Sequence, residues 1–390
     1  MDHVALLSRL IEIDTSGTDG AGCRKLLALL EQQLASAGCA THIVDIPPTS
    51  ADGLEGRAAL IAHRRALGRP RLVVYGHVDV VPADGWDAYS PRLADGKVFG
   101  RGSSDMKGSI AALVVALAHL KDSPLHYDLT VAMTMDEETH QLSQLEYLTP
   151  EVDAGPGTHL LSLDAGFGYV SVANLGVLQM DVAVRGQAVH SGLAHLGRNA
   201  VEDASRLIAA ILELKRRVVA RRSAVPTHPG TGLEVMEPRL NVNQVEGGLA
   251  RNIVPDICTF SIDRRLLPDE TVEDSRAEIL QALDSVDGAQ WDILREFVIP
   301  PVPPSDDPEA EVLSGVVGEV TGSTGLYGEM ISGELPYATR RYWGGKVFGT
   351  GVIRPESHIH GVDEFVYERD LHQLGEVLVR FLTGNHKEAA

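Results

Sequence analysis

Apolar residues recur at helical spacing over residues 6–13 and 23–37, and the chain then switches to short strand-like runs at 41–46, 58–62 and 72–75. Residues 110–120 are apolar on every side and predict a buried helix. Residues 129–135 predict a strand, and after a helical stretch the run 160–163 predicts another. Helices and strands that alternate in this way predict an α/β layered domain with a mostly parallel central sheet.

Near Asn174 the pattern changes. Residues 177–185 alternate apolar and polar side chains as a half-exposed antiparallel strand does, and 201–219 repeat with the period of a long amphipathic helix. Strands are expected at 233–244 and 252–264 and a second helix at 271–283, which describes an α+β unit whose sheet is covered on one face. Pro300, Pro301, Pro303, Pro304 and Pro308 then predict a stiff linker. Helical periodicity at 311–320, a strand at 345–348 and a terminal helix at 368–382 return to the first style. The expected organisation is therefore one catalytic domain in two parts, 1–173 and 299–390, interrupted by a smaller domain at 174–298.

Composition narrows the function classes. The 390 residues carry 34 Lys and Arg against 54 Asp and Glu, a net charge of −20, with no basic stripe, so nucleic acid is not an expected partner. Cys23, Cys39 and Cys258 form no paired motif, which points to reduced thiols and a cytoplasmic setting. The start of the chain has neither a basic segment nor a continuous apolar one, and the run at 110–120 is far short of a bilayer span, so neither a secretion signal nor a membrane span is expected.

The chemistry falls where strands should end. Gly76-His77-Val78-Asp79 follows the apolar run 72–75, so His77 should emerge at the carboxyl edge of a central strand, where open α/β sheets place ligands. Asp79, two residues on, could accept one ring N–H of His77 and leave the other nitrogen for a metal. Asp105 lies in Gly102-Ser103-Ser104-Asp105-Met106-Lys107-Gly108, where it could either cap the following helix or serve as a ligand; Gly100, Gly102 and Gly108 would let the backbone aim it. Glu137 and Glu138 end the strand at 129–135. Neighbouring residues there point in different directions, so one could bind a metal while the other faces a water as general base. Asp164 closes the run 160–163, and His360-Gly361-Val362-Asp363-Glu364 adds a late imidazole, with His358 as its rival on the same face if the segment is extended.

These motifs, together with Gly186-Gln187-Ala188-Val189-His190-Ser191-Gly192, Gly197-Arg198-Asn199-Ala200, Asn252-Ile253-Val254-Pro255-Asp256 and Asp263-Arg264-Arg265-Leu266-Leu267-Pro268, resemble those of the co-catalytic zinc amidohydrolases and metallopeptidases that include acetylornithine deacetylase, succinyl-diaminopimelate desuccinylase, aminoacylase and carboxypeptidase G. The resemblance implies that His77 and Asp164 hold one metal, Glu138 and His360 the other, and that Asp105 bridges both. Two divalent ions, Zn2+ with Co2+ or Mn2+ as alternatives, are the implied cofactors. It further implies Glu137 as general base, Asp79 as the residue orienting His77, a cis peptide after Asp105, and His190 at the scissile carbonyl oxygen. Arg265 and Asn252 match positions that grip a substrate carboxylate, and a homodimer formed through 174–298 would share the active site.

Two departures bear on the substrate. Ser332-Gly333-Glu334-Leu335-Pro336-Tyr337-Ala338-Thr339-Arg340-Arg341-Tyr342 stands where deacetylases carry a Gly-Gly-Thr-Asp-x-Arg turn, with Arg341 at the arginine position and Thr339 at the acidic one. Thr139-His140 follows the Glu pair where Gly is common, and Asp164 replaces the Glu of desuccinylases. The expected activity is amide hydrolysis of an N-acyl amino acid. A dipeptidase or carboxypeptidase, with Glu334 as anchor for a free amine, is the alternative on the same scaffold, and a silent metal-binding protein the remote one.

Overall fold

The computed structural model describes residues 2–139 and 143–384. Its contacts divide into two compact units. The first comprises residues 1–172, 305–327 and 334–390, and the second residues 173–304 and 328–333.

The first unit is built on an eight-stranded sheet. Its middle strands lie in the order Asp128–Thr134, Arg71–His77, His159–Ser162, Lys346–Gly349 and are parallel; the flanking strands Ala40–Asp45, Ala58–Arg64 and Val170–Asn174 run antiparallel. The middle strands are buried on both faces, and their alternate side chains feed two cores. Leu72, Val74, Leu129, Val131 and Met133 point into the larger core with helices Ala21–Ser36, Lys107–His119 and Glu368–Thr383, whereas Val73, Tyr75, Ala132 and Leu160 meet Trp343 and Leu148 on the other side. Helix Lys107–His119 is buried around nearly its whole circumference, which is why its sequence shows no polar face. A separate three-stranded sheet joins Phe365–Tyr367, Lys97–Phe99 and Arg92–Ala94, with Phe99 opposite Phe365.

In the second unit, strands Arg239–Gly247, Ile257–Leu266, Gly176–Arg185 and Gln290–Ile299 form an antiparallel sheet in that order. Helices Ala200–Val218 and Val272–Asp284 cover one face, packing Leu207, Ile211, Leu214 and Ile279 on Leu178, Val182, Phe260 and Ile262.

Several elements differ from expectation. The strand expected at 233–244 starts only at Arg239, and the one expected at 252–264 is cut at Pro255 into Ile253–Val254 and Ile257–Leu266, because proline offers no N–H to a ladder. Gln290–Ile299 is an unforeseen edge strand whose alternation is broken by a bulge between Ile293 and Arg295. The proline-rich stretch is not a free linker: Val302 pairs with Asn174, and Ser305 N donates to Val172 O. All three cysteines are buried and free, and among the described residues no helix is long and apolar enough to cross a membrane.

Candidate metal centre

Three adjacent parallel strands deliver their carboxyl ends to one place. His77 ends Arg71–His77 opposite Thr134; the Asp128–Thr134 strand runs on to Glu137 and Glu138, and His159–Ser162 runs on to Asp164. Asp105 comes from the glycine loop before helix Lys107–His119, and His360 from the turn before Phe365–Tyr367. Among the described residues, two groups bring metal-ligating atoms within 4.8 Å of one another: His77, Asp105 and Asp164, and Asp105, Glu138 and His360. Asp105 belongs to both. Its Oδ1 lies 3.4 Å from His77 Nε2 and its Oδ2 3.3 Å from His360 Nε2. Asp164 Oδ2 is 4.0 Å from His77 Nε2, and Glu138 Oε2 is 3.2 Å from His360 Nε2.

Asp79 joins the two groups from behind. His77 Nδ1 lies 3.2 Å from the Asp79 backbone oxygen and 3.3 Å from its Oδ1, while Asp79 Oδ2 accepts the N–H of Glu138 at 2.9 Å. The ring is thereby turned with Nε2 toward Asp105, the arrangement that leaves one imidazole nitrogen for a cation. His358 and His360 both adopt left-handed backbone conformations, so the segment is a turn and not extended; His358 packs edge-on against Phe365 instead. The Asp105–Met106 peptide is cis, as the resemblance implies.

The residues fit a pair of divalent cations. His77 Nε2 and Glu138 Oε1 are buried without a hydrogen-bond partner, a costly state for an imidazole nitrogen and a carboxylate oxygen unless each faces a cation of its own group. Imidazole with carboxylate is the donor set of Zn2+, Co2+ or Mn2+. Electrostatics points the same way. Burial opposes a charge on His77, but Asp105 and Asp79 outweigh it and raise its imidazole well above the ordinary range. Hydrogen bonds to Asp105 and Glu138 raise His360 to about 10. Asp105, although buried, is held low by the same two imidazoles. Burial, reinforced by the carboxylates of Asp164, Glu138 and Asp105, pushes Glu137 well above the usual carboxylate range against the pull of His77.

Residues that carried no expected role hold this arrangement. Asp136, in a left-handed conformation, accepts from Arg57 Nε at 2.7 Å and Gln144 Nε2 at 2.6 Å, which fixes the strand end that presents Glu137 and Glu138. Lys107 is fully buried and donates to Ile13 O at 2.9 Å; desolvation lowers its amine to about 8. Glu364 accepts from the backbone of Gly102, Ser104 and Asp105. No sequence signal ties Arg57 to Asp136, 79 residues away. Glu364 stood in a recognised motif, but its partners are not local.

The other expected residues are carried by other segments. His190, Asn252 and Arg265 belong to the second unit, where Ser191 N donates to Asn252 O at 2.9 Å and His190 Nδ1 accepts from Gly192 N at 3.1 Å. The Arg265 fork is engaged by Asp263 at 3.0 and 3.2 Å and reaches Ser332 Oγ at 3.2 Å. Arg341 lies on helix Glu334–Trp343, not in a turn, and is exposed with Nη1 donating to Tyr337 Oη at 3.0 Å. His140 and the side chain of Glu334 lie outside the described residues.

An α/β architecture whose central strands converge on two carboxylate–imidazole groups sharing one aspartate has the donor arrangement of a two-metal hydrolase, and the family to which the chain belongs makes it one that acts on amides or peptides. The chain belongs to the peptidase family M20/M25/M40, whose sequence profile matches residues 73–384. It is 26% identical over 330 residues to an acetylornithine deacetylase of Edwardsiella ictaluri, covering 81% of this chain and 82% of the relative. It is 28% identical over 348 residues to a probable carboxypeptidase of Ajellomyces dermatitidis, covering 83% and 74%. In fold it is similar to the M20 family metallo-carboxypeptidase Sso-CP2 of Sulfolobus solfataricus, with a TM-score of 0.76, 18% identity and coverage of 98% and 99%.

Proposed function

We propose that this chain is a two-metal amidohydrolase that cleaves the amide bond of an N-acyl amino acid. The observation that carries the reading is Asp105, which offers one carboxylate oxygen to each of two ligand groups. His77 and Asp164 would hold one ion, Glu138 and His360 the other. Bound there, divalent ions supply acidity to a water and positive charge to a carbonyl oxygen. Glu137, next to Glu138 at the end of the strand Asp128–Thr134, takes the proton of the attacking water and returns it to the leaving amine. Asp79 keeps the His77 ring in the ligating tautomer.

His190 is proposed to steady the carbonyl oxygen, and Arg265, Asn252 and Arg341 to bind the substrate carboxylate. A homodimer formed through 174–298 and a cytoplasmic setting complete the reading; three buried, free thiols are in keeping with the latter. A carboxypeptidase or dipeptidase would use the same residues, and the carboxypeptidase named among the relatives keeps that alternative in view.

The test is a panel of N-acetyl and N-succinyl amino acids beside dipeptides, run on zinc-loaded protein and on Glu137→Ala. The variant should keep its metal and lose about 10²- to 10⁴-fold in kcat. Turnover of dipeptides alone would replace the deacylase by the peptidase, and an unchanged kcat in Glu137→Ala would remove the mechanism. Arg265→Ala should raise KM for every substrate with a free carboxylate, and His190→Ala should act on kcat.

A further inference from the structure

One buried ion pair ties together three of the segments that carry the ligands. Glu364 has no solvent exposure and Arg101 is 2% exposed. Glu364 Oε2 accepts from Arg101 Nη1 at 2.7 Å and from Gly102 N at 3.1 Å; its Oε1 accepts from Ser104 N at 3.0 Å and from Asp105 N at 3.1 Å. The same guanidinium reaches His360 O at 3.2 Å and Pro82 O at 3.5 Å through Nη2. Backbone pairing continues the tie, with Gly100 N donating to Glu364 O at 2.9 Å. The carboxylate thus grips the peptide N–H of Asp105 itself, and its charge partner grips the carbonyl of His360.

We propose that Glu364, locked to Arg101, is the positioning residue that fixes the Asp105 carboxylate between the two ligand groups and sets occupancy of the Glu138–His360 position. The asymmetry between the positions follows from how each is held. His77 is fully buried on a central strand and braced by Asp79, so its group has support of its own. His360 is half exposed, sits in a left-handed turn, and has its backbone secured by Arg101. Loosening the clamp therefore releases the second ion before the first. Metal ligands oriented by outer hydrogen bonds lose about 10–100-fold in affinity when those bonds are cut.

This inference rests on the two-metal reading and is tested apart from turnover. Metal-free wild type, Glu364→Gln and Arg101→Lys are titrated with Zn2+ by calorimetry, with ion content measured after gel filtration. Cobalt loading reports the geometry of each position by its visible absorption. Gln keeps the shape but turns an amide N–H toward backbone donors, and Lys cannot reach Glu364, His360 O and Pro82 O together. Tyr127→Phe, remote from the site and cut from its Glu309 partner, serves as a control for general loss of stability.

Wild type should take two ions; Glu364→Gln and Arg101→Lys should keep the tighter one within about threefold and bind the other about 10–100-fold more weakly. Tyr127→Phe should keep both. If Glu364→Gln does not fold, Arg101→Lys decides alone. Two ions held with unchanged affinities in a folded clamp variant would overturn the positioning role while leaving the two-metal reading intact, as would a loss no greater than in Tyr127→Phe. A wild type that takes fewer than two ions would overturn both.

Discussion

Asp105, Glu137 and Glu138 were individually ambiguous in the sequence, since a carboxylate before a helix is as readily a cap and a Glu pair as readily solvated. They became a site only when strand ends brought them together. What could be read one residue at a time was the ligand type; the supports could not, because Arg57 and Arg101 act on positions far away in the chain. The glycines could be read as well. Gly102 has φ +79°, and a Cβ there would stand 2.7 Å from Val80 Cγ1 and 3.0 Å from Lys107 Cδ. Gly102→Ala should therefore lose about 1–3 kcal/mol in urea unfolding, and an unchanged midpoint would show that the loop tolerates a side chain. Away from the site, the His159 ring is raised above its ordinary range first by its hydrogen bonds to Asp307, at 2.9 and 2.8 Å. A raised folded-state value means stability that is fully present below the unfolded value of 6.5 and lost as pH rises through the folded one. Thermal melts from pH 6 to 9 should show that loss in wild type and a flatter profile in His159→Ala; parallel profiles would deny the coupling.

Among the elements, those with a full apolar period were legible and those without one were not. The strand at Arg71–His77 and the buried helix at Lys107–His119 announced themselves, because burial on all sides leaves an unbroken apolar run. Strands Arg92–Ala94, Lys97–Phe99 and Phe365–Tyr367 were invisible at three residues each. Yet this small sheet does much of the placing: Phe99 pairs with Phe365, which sets residues 100–105 beside 360–364. The two rings meet at 5.5 Å, and Phe365 is buried. Phe365→Ala should cost about 3–5 kcal/mol and weaken metal binding with it. Chemical denaturation alongside a zinc titration checks this; a stability loss with zinc affinity intact would separate the sheet from the site.

Seen as one chain, the protein draws the sheet and the ligand groups from within residues 40–174 and 326–360, so His77 and His360 both reach Asp105 although they stand 283 positions apart. The α/β class was legible because alternating elements admit few layouts; the edge strand Gln290–Ile299 and the paired proline stretch were not, because their partners are distant. Ligand groups that crowd carboxylates around imidazoles also predict that metal and folding are linked. Zinc at about 100 times its dissociation constant should add about 2.7 kcal/mol, seen as a higher Tm that chelator reverses. The most direct test of the central claim is anomalous diffraction at the zinc edge from crystals grown with the metal. Two peaks flanking the Asp105 carboxylate, one beside His77 and Asp164 and one beside Glu138 and His360, are the predicted result; no peak there, or ions bound only away from Asp105, would contradict it.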